Sequence, residues 1–107
     1  MIHKLSVDVH CHRPNWVFEE INKRFKETRY RIYIDGELMA ERLWIWPNDK
    51  MIIENFVVDI APGEHHFKFE PVVANPAQST FRISKLSDNG FPIPSKVIND
   101  FEITFRV

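Results

Sequence analysis

Leu5, Val7, Val9 and Cys11 alternate with Ser6, Asp8, His10 and His12 along the first stretch of the chain. A period of two sends one set inward and the other outward, so a half-buried strand is expected there. Pro14-Asn15 breaks the alternation. Val17, Phe18, Ile21 and Phe25 then follow at helical spacing, with Glu19–Lys23 and Glu20–Arg24 as i,i+4 pairs in the favourable order. The spacing predicts a short helix over residues 16–26. An extended crossover whose aromatics plug one end of a sandwich would use the same residues.

Tyr30-Arg31-Ile32-Tyr33-Ile34 is rich in aromatic and β-branched residues and runs into Asp35-Gly36, where glycine supplies the positive φ of a tight hairpin. The return strand is expected from about Leu38 to Trp46, ended by Pro47-Asn48-Asp49, since proline cannot donate to a central ladder. From Lys50 onward Ile52, Phe56, Val58 and Ile60 share one parity until Ala61-Pro62-Gly63; His65, Phe67 and Phe69 then alternate with His66, Lys68 and Glu70. That pattern predicts a second hairpin. Asn75-Pro76-Ala77 marks a loop, Phe81 and Ile83 a short strand, and Asp88-Asn89-Gly90 a turn. Phe91-Pro92-Ile93-Pro94 reads as an edge or extended loop. Phe101, Ile103, Phe105 and Val107 against Glu102, Thr104 and Arg106 predict a last strand inside a sheet. Short strands separated by regular turn signals, with almost no helix, predict an all-β fold: an antiparallel β-sandwich, immunoglobulin-like or jelly-roll, with one short N-terminal helix.

The chain has 107 residues, room for one core, so a single domain over 1–107 is expected. Its hydrophobic fraction of 44%, with nine Phe and three Trp, supplies that core and excludes a disordered composition. Formal net charge is −1, from 14 basic and 15 acidic residues, which gives no field for holding a polyanion or an anionic membrane. Nucleic acid is therefore a disfavoured partner. Cys11 is the single cysteine, which rules out an intrachain disulfide and a cysteine metal cage. Met1-Ile2-His3-Lys4-Leu5 does not begin a signal peptide and no window reaches the length of a membrane span, so synthesis in the cytosol and no membrane association are expected.

His10 and His12, two apart on a strand, face one side and could chelate a metal. Asp8-Val9-His10-Cys11-His12 resembles the first strand of metal-dependent amidohydrolases, but their barrel takes roughly 250 residues. It also resembles the His-x-His of cupins, whose glycines are absent and whose carboxylate stands closer than Glu19 does here. A structural role without metal or cofactor is expected. Lys23, Arg24, Lys26, Arg29 and Arg31 interleave with Tyr30 and Tyr33, as on a single-strand nucleic-acid surface, yet Glu19, Glu20 and Glu27 interrupt the run. A solvated helix face leading into an edge strand fits better, and a salt-bridged protein interface next.

Arg42, Trp44 and Trp46 share one strand face while Leu43 and Ile45 take the other. With Leu43 and Ile45 in the core, the two Trp form an outward aromatic strip able to stack on sugar rings or anchor an interface. With one Trp in the core, the other caps the sandwich edge. No serine or cysteine sits in a nucleophile turn, and three glycines build no phosphate loop, so no enzymatic activity is expected.

Residues Arg29 to Arg42 (RYRIYIDGELMAER), continuing to Trp44-Ile45-Trp46, resemble small structural proteins encoded by tailed phages of marine cyanobacteria. Pro62-Gly63-Glu64-His65 matches the turn that opens their next strand, and the resemblance spans about residues 29–70. It implies a virion component, a capsid decoration or a head or tail accessory protein, made in the host cytoplasm and contacting other virion proteins in many copies. The same tyrosines, Asp-Gly hairpin and Gly-x-His turn occur in carbohydrate-binding modules. That alternative would use Trp44, Trp46, Trp16 and Tyr33 as a platform for a surface glycan. The interface candidates are accordingly Trp44, Trp46, Arg42, Trp16, Tyr33, Arg29 and Arg31.

Overall fold

The computed structural model describes residues 2–12, 29–44, 50–72 and 80–107. They form strands β1 (Ile2–His12), β2 (Arg29–Ile34), β3 (Glu37–Leu43), β4 (Lys50–Asp59), β5 (Glu64–Val72), β6 (Thr80–Asp88), β7 (Phe91–Pro92), β8 (Ser95–Asn99) and β9 (Glu102–Arg106). Two antiparallel sheets pack face to face, a four-stranded one in the order β4-β1-β6-β7 and a five-stranded one in the order β3-β2-β5-β9-β8. An all-β sandwich follows directly from the period-two alternation. The helix expected over 16–26 falls within residues 13–28, outside the described residues.

The inward set of each strand forms one core. Leu5, Val7, Val9 and Cys11 of β1 are buried against Tyr30, Ile32 and Ile34 of β2, Phe67 and Phe69 of β5, and Ile103 and Phe105 of β9. Aromatic rings dominate its middle: Tyr30 stacks on Phe69 at 5.0 Å and 22°, and Phe56 on Phe67 at 5.7 Å. Such pairs add to the area they bury.

The Asp35-Gly36 hairpin forms as expected, with φ of 51° and 81° at its two central residues, the type I′ geometry that matches strand twist. The second expected hairpin does not form. β4 pairs with β1 in one sheet, whereas β5 pairs with β2 and β9 in the other, so Ala61-Pro62-Gly63 carries the chain between sheets. Both strands have the hairpin's alternation; their partners lie far away in sequence. β6 is longer than the short strand expected around Phe81 and Ile83. Its inward parity changes between Ile83 and Leu86, because Lys85, at φ 51°, is an extra residue inserted opposite β1 between Val7 and Asp8. The last strand lies inside its sheet, between β5 and β8, as its alternation predicts.

Candidate functional site

Parity splits the candidate residues between two surfaces. Trp44 and Arg42 belong to the inner side of the β3 edge, while Arg29, Arg31 and Tyr33 belong to the outer face of β2.

Trp44 corrects the outward aromatic strip. Its side chain is 0% exposed and sits edge-on to Phe81 at 5.4 Å and to Tyr30 at 6.3 Å, while Leu43 is 39% exposed. The core takes the larger apolar ring and leaves the smaller leucine in solvent, the reverse of the assignment that would free the tryptophans. A sugar-stacking platform thereby loses Trp44. Trp46 and Trp16 lie outside the described residues.

Arg42, inward by parity but at an edge, reaches around to β4 of the opposite sheet. Its Nε donates to Glu54 Oε1 at 2.7 Å, and the buried Tyr30 hydroxyl donates to Glu54 Oε2 at 2.7 Å. Glu54 is 8% exposed, so its carboxylate bridges the sheets at the β3/β4 side with both oxygens satisfied. Burial, followed by the Glu54 hydrogen bond and charge, pushes the Tyr30 hydroxyl far above its ordinary range. The sequence carried a sign of this that the alternation reading passed over: Glu54 occupies the apolar parity between Ile52 and Phe56.

On the outer face of the five-stranded sheet, Arg31 lies between Glu41 of β3 and Glu70 of β5, its cross-strand neighbours. Its Nε donates to Glu41 at 3.0 Å and its Nη1 to Glu70 at 3.3 Å; Arg29 also reaches Glu41, at 3.4 Å, and the Tyr33 hydroxyl donates to Glu70 at 3.5 Å. The described part of the basic run is thus matched by carboxylates from both sides. Lys23, Arg24 and Lys26 lie outside the described residues.

The described histidines are held by neighbours. His10 Nε2 lies 2.9 Å from Ser84 Oγ and His3 Nδ1 2.6 Å from Asp88 Oδ2. His66 Nε2 lies 2.9 Å from Glu102 Oε1. His65 has both ring nitrogens engaged: Nδ1 is 2.5 Å from Asp35 Oδ2, Nε2 2.7 Å from the Ala61 carbonyl, and the ring lies tilted over Phe105 at 5.6 Å. Both ring nitrogens face acceptors, so the doubly protonated imidazolium fits best and the Asp35 bond, then the Ala61 carbonyl, raises the His65 pKa. Burial works against ionised Asp35, but the bonds from His65 and the His66 amide prevail and lower its pKa. This clasp ties the β2–β3 turn to the start of β5. Among the described residues no group of three or more His, Cys, Asp or Glu could hold a metal, and no helix is long and apolar enough to cross a membrane.

A different surface is apolar. The outward residues of β4 include Met51, Ile53 and Val57 at 48%, 58% and 61% exposure, and both parities of this strand are largely apolar. Phe91 on β7 and Val97 and Ile98 on β8 are exposed at the other side of the sandwich. Sequence reasoning attended to one parity of β4 and passed over the other. No family model matches the chain, and no curated protein or solved structure matches it.

Proposed function

We propose that this protein is a non-enzymatic structural or accessory component of a tailed-phage virion, a capsid decoration or a head or tail part, acting through protein–protein contacts in many copies. The resemblance of residues 29–70 suggests it, and one structural observation supports it most. Large apolar side chains stand exposed along both long sides of an elongated sandwich: Met51, Ile53, Val57, Leu38 and Leu43 on the β3/β4 side, Phe91, Val97 and Ile98 on the β7/β8 side. The domain measures 45 × 21 × 20 Å. Contacts on two opposite sides let copies lie side by side, as a symmetric shell requires.

The immunoglobulin-like or jelly-roll form of the sandwich belongs to the same proposal. The chain passes from sheet to sheet at β1–β2, β3–β4, β4–β5, β5–β6 and β7–β8, as Greek-key sandwiches do. Manufacture in the host cytoplasm and residence in the virion go with it.

The test is cosedimentation of the purified protein with phage particles assembled without it, in the presence and absence of oligosaccharides. Saturable binding at a fixed number of copies per particle, indifferent to sugar, supports the reading. Failure to cosediment, or release by oligosaccharide, overturns it, the latter in favour of glycan binding.

A further inference from the structure

Two sheets have four edge strands, and three of them are blunted against pairing with another chain. β3 is bulged at Met39 and carries Glu37, Glu41 and Arg42; β7 has two residues, one of them Pro92; β8 has five, is bulged at Ile98 and carries Lys96. β4 differs from all three. It has ten residues, no proline, and pairs with β1 from Ile2↔Asp59 to Cys11↔Lys50 without a register shift. Among the described residues no strand covers its other edge. Glu54, the charge at the middle of its inward row, is already held by Tyr30 and Arg42, so a strand added there would not strand it.

We propose that β4 is the edge through which two copies of this chain pair, antiparallel, about a two-fold axis at Asn55. This deepens the assembly reading and rests on it for the statement that copies meet. The register follows from the residues. A two-fold perpendicular to the sheet keeps outward residues opposite outward residues, which restricts the shift to steps of two. Centring on Asn55 sets Ile53 opposite Val57 of the second copy on the outer face and Ile52 opposite Val58 of the second copy on the inner. Centring on Glu54 sets two carboxylates against each other; centring on Phe56 sets the more exposed Ile53 against Asp59 of the second copy and breaks its pairing with Val57, whereas centring on Asn55 leaves Met51, nearer the strand end, to face that carboxylate.

The neighbouring strand β1 continues the rows on each side of this pair. Asp8 is the β1 neighbour of Ile53, and Lys4 that of Val57. The row across the joined sheets therefore reads Asp8, Ile53, then Val57 and Lys4 of the second copy, an apolar pair flanked by opposite charges, repeated by symmetry. The central row is polar: Ser6 Oγ donates to Asn55 Oδ1 at 2.6 Å, and the amide NH2 makes only a 3.5 Å contact to the Ile53 carbonyl.

The test is sedimentation velocity of the full chain over a concentration series, with two variants. The wild type shifts from monomer to dimer as concentration rises. Ile53→Lys, at a side chain already largely exposed, weakens the dimer by about tenfold or more while circular dichroism and Tm stay unchanged. Directly opposed residues of an antiparallel pair have Cα atoms about 4.5–5.5 Å apart, within disulfide range. Asn55→Cys therefore gives a covalent dimer on oxidation, and Arg82→Cys, exposed on the same face two strands away, does not. A wild type that stays monomeric throughout overturns the pairing, including the case in which β4 binds only a strand from another protein. So does a dimer that survives Ile53→Lys and does not crosslink through Asn55→Cys. A dimer that never binds particles leaves the pairing standing and removes the virion reading; a monomer that binds them does the reverse.

Discussion

Two clusters on opposite faces of the β2–β3 hairpin, each closed by a glutamate from another strand, use the same three residue types and come to different ends. Tyr30, Arg42 and Glu54 meet inside the β3/β4 edge, where the Glu54 side chain is 9% exposed; Tyr33, Arg31 and Glu70 meet on the outer face, where Arg31 and Glu70 are 39% and 36% exposed. The inner carboxylate has bonds of 2.7 Å to both partners, the outer one contacts of 3.3 and 3.5 Å. Strand parity decides which is which. Dehydration makes the Tyr30–Glu54 bond obligatory, because neither group can turn to water, whereas solvent reaches the Arg42 side chain, 49% exposed, and competes for every bond in the outer cluster. The inner cluster joins two sheets; the outer one quiets a basic surface.

The largest effect should come from the ring that shelters the inner cluster. Trp44→Ala is expected to lower stability by about 3–5 kcal/mol in urea unfolding, since it empties a fully buried site beside Tyr30 and Phe81. Next, Glu54→Ala leaves the buried Tyr30 hydroxyl without its acceptor and should cost about 1–3 kcal/mol by the same measurement. A loss no greater than that of Glu70→Ala would erase the contrast between inside and outside.

The His65–Asp35 clasp is half-sheltered and sharpens the comparison through pH. The raised His65 pKa means its contribution is fully present below the ordinary imidazole value, about 6.5, and is lost as pH rises through the folded value. Asp35, with its lowered pKa, contributes above the ordinary carboxylate value, about 3.9, and loses its contribution as pH falls through the folded one. The clasp is therefore strongest at about pH 4–6.5. The Tm difference between wild type and His65→Gln should be greatest there and narrow toward pH 9. Smallest of all, Arg31→Ala is expected to leave Tm unchanged, because each of its ion pairs is open to solvent.

The alternation of apolar residues located most strands and both sides of the core without reference to pairing. What it could not locate was anything set by a distant partner. β4 and β5 look like one hairpin because the Pro-Gly turn and the two flanking patterns are local, while their separation into different sheets depends on β1 and β2. Ser95–Asn99 shows no alternation, since β8 is exposed on both faces, so its strand is found only from its pairing with β9. Trp44 was ambiguous because large apolar residues occupy both parities, Trp46 on its own and Leu43 and Ile45 on the other, and volume settled what hydrophobicity left open. Glu54 and the outward row Met51, Ile53 and Val57 were visible as departures from a one-sided pattern: a charge on the buried parity and apolar groups on the open one. Departures of that kind were where the surfaces of interest lay.

The most direct measurement of the central claim is quantitative mass spectrometry of density-gradient-purified phage particles from the lysate in which this chain is made. A virion component working through repeated contacts should be present in many copies, at a constant ratio to the major shell protein across preparations and after a high-salt wash. A chain found in the soluble fraction and absent from particles would contradict the account.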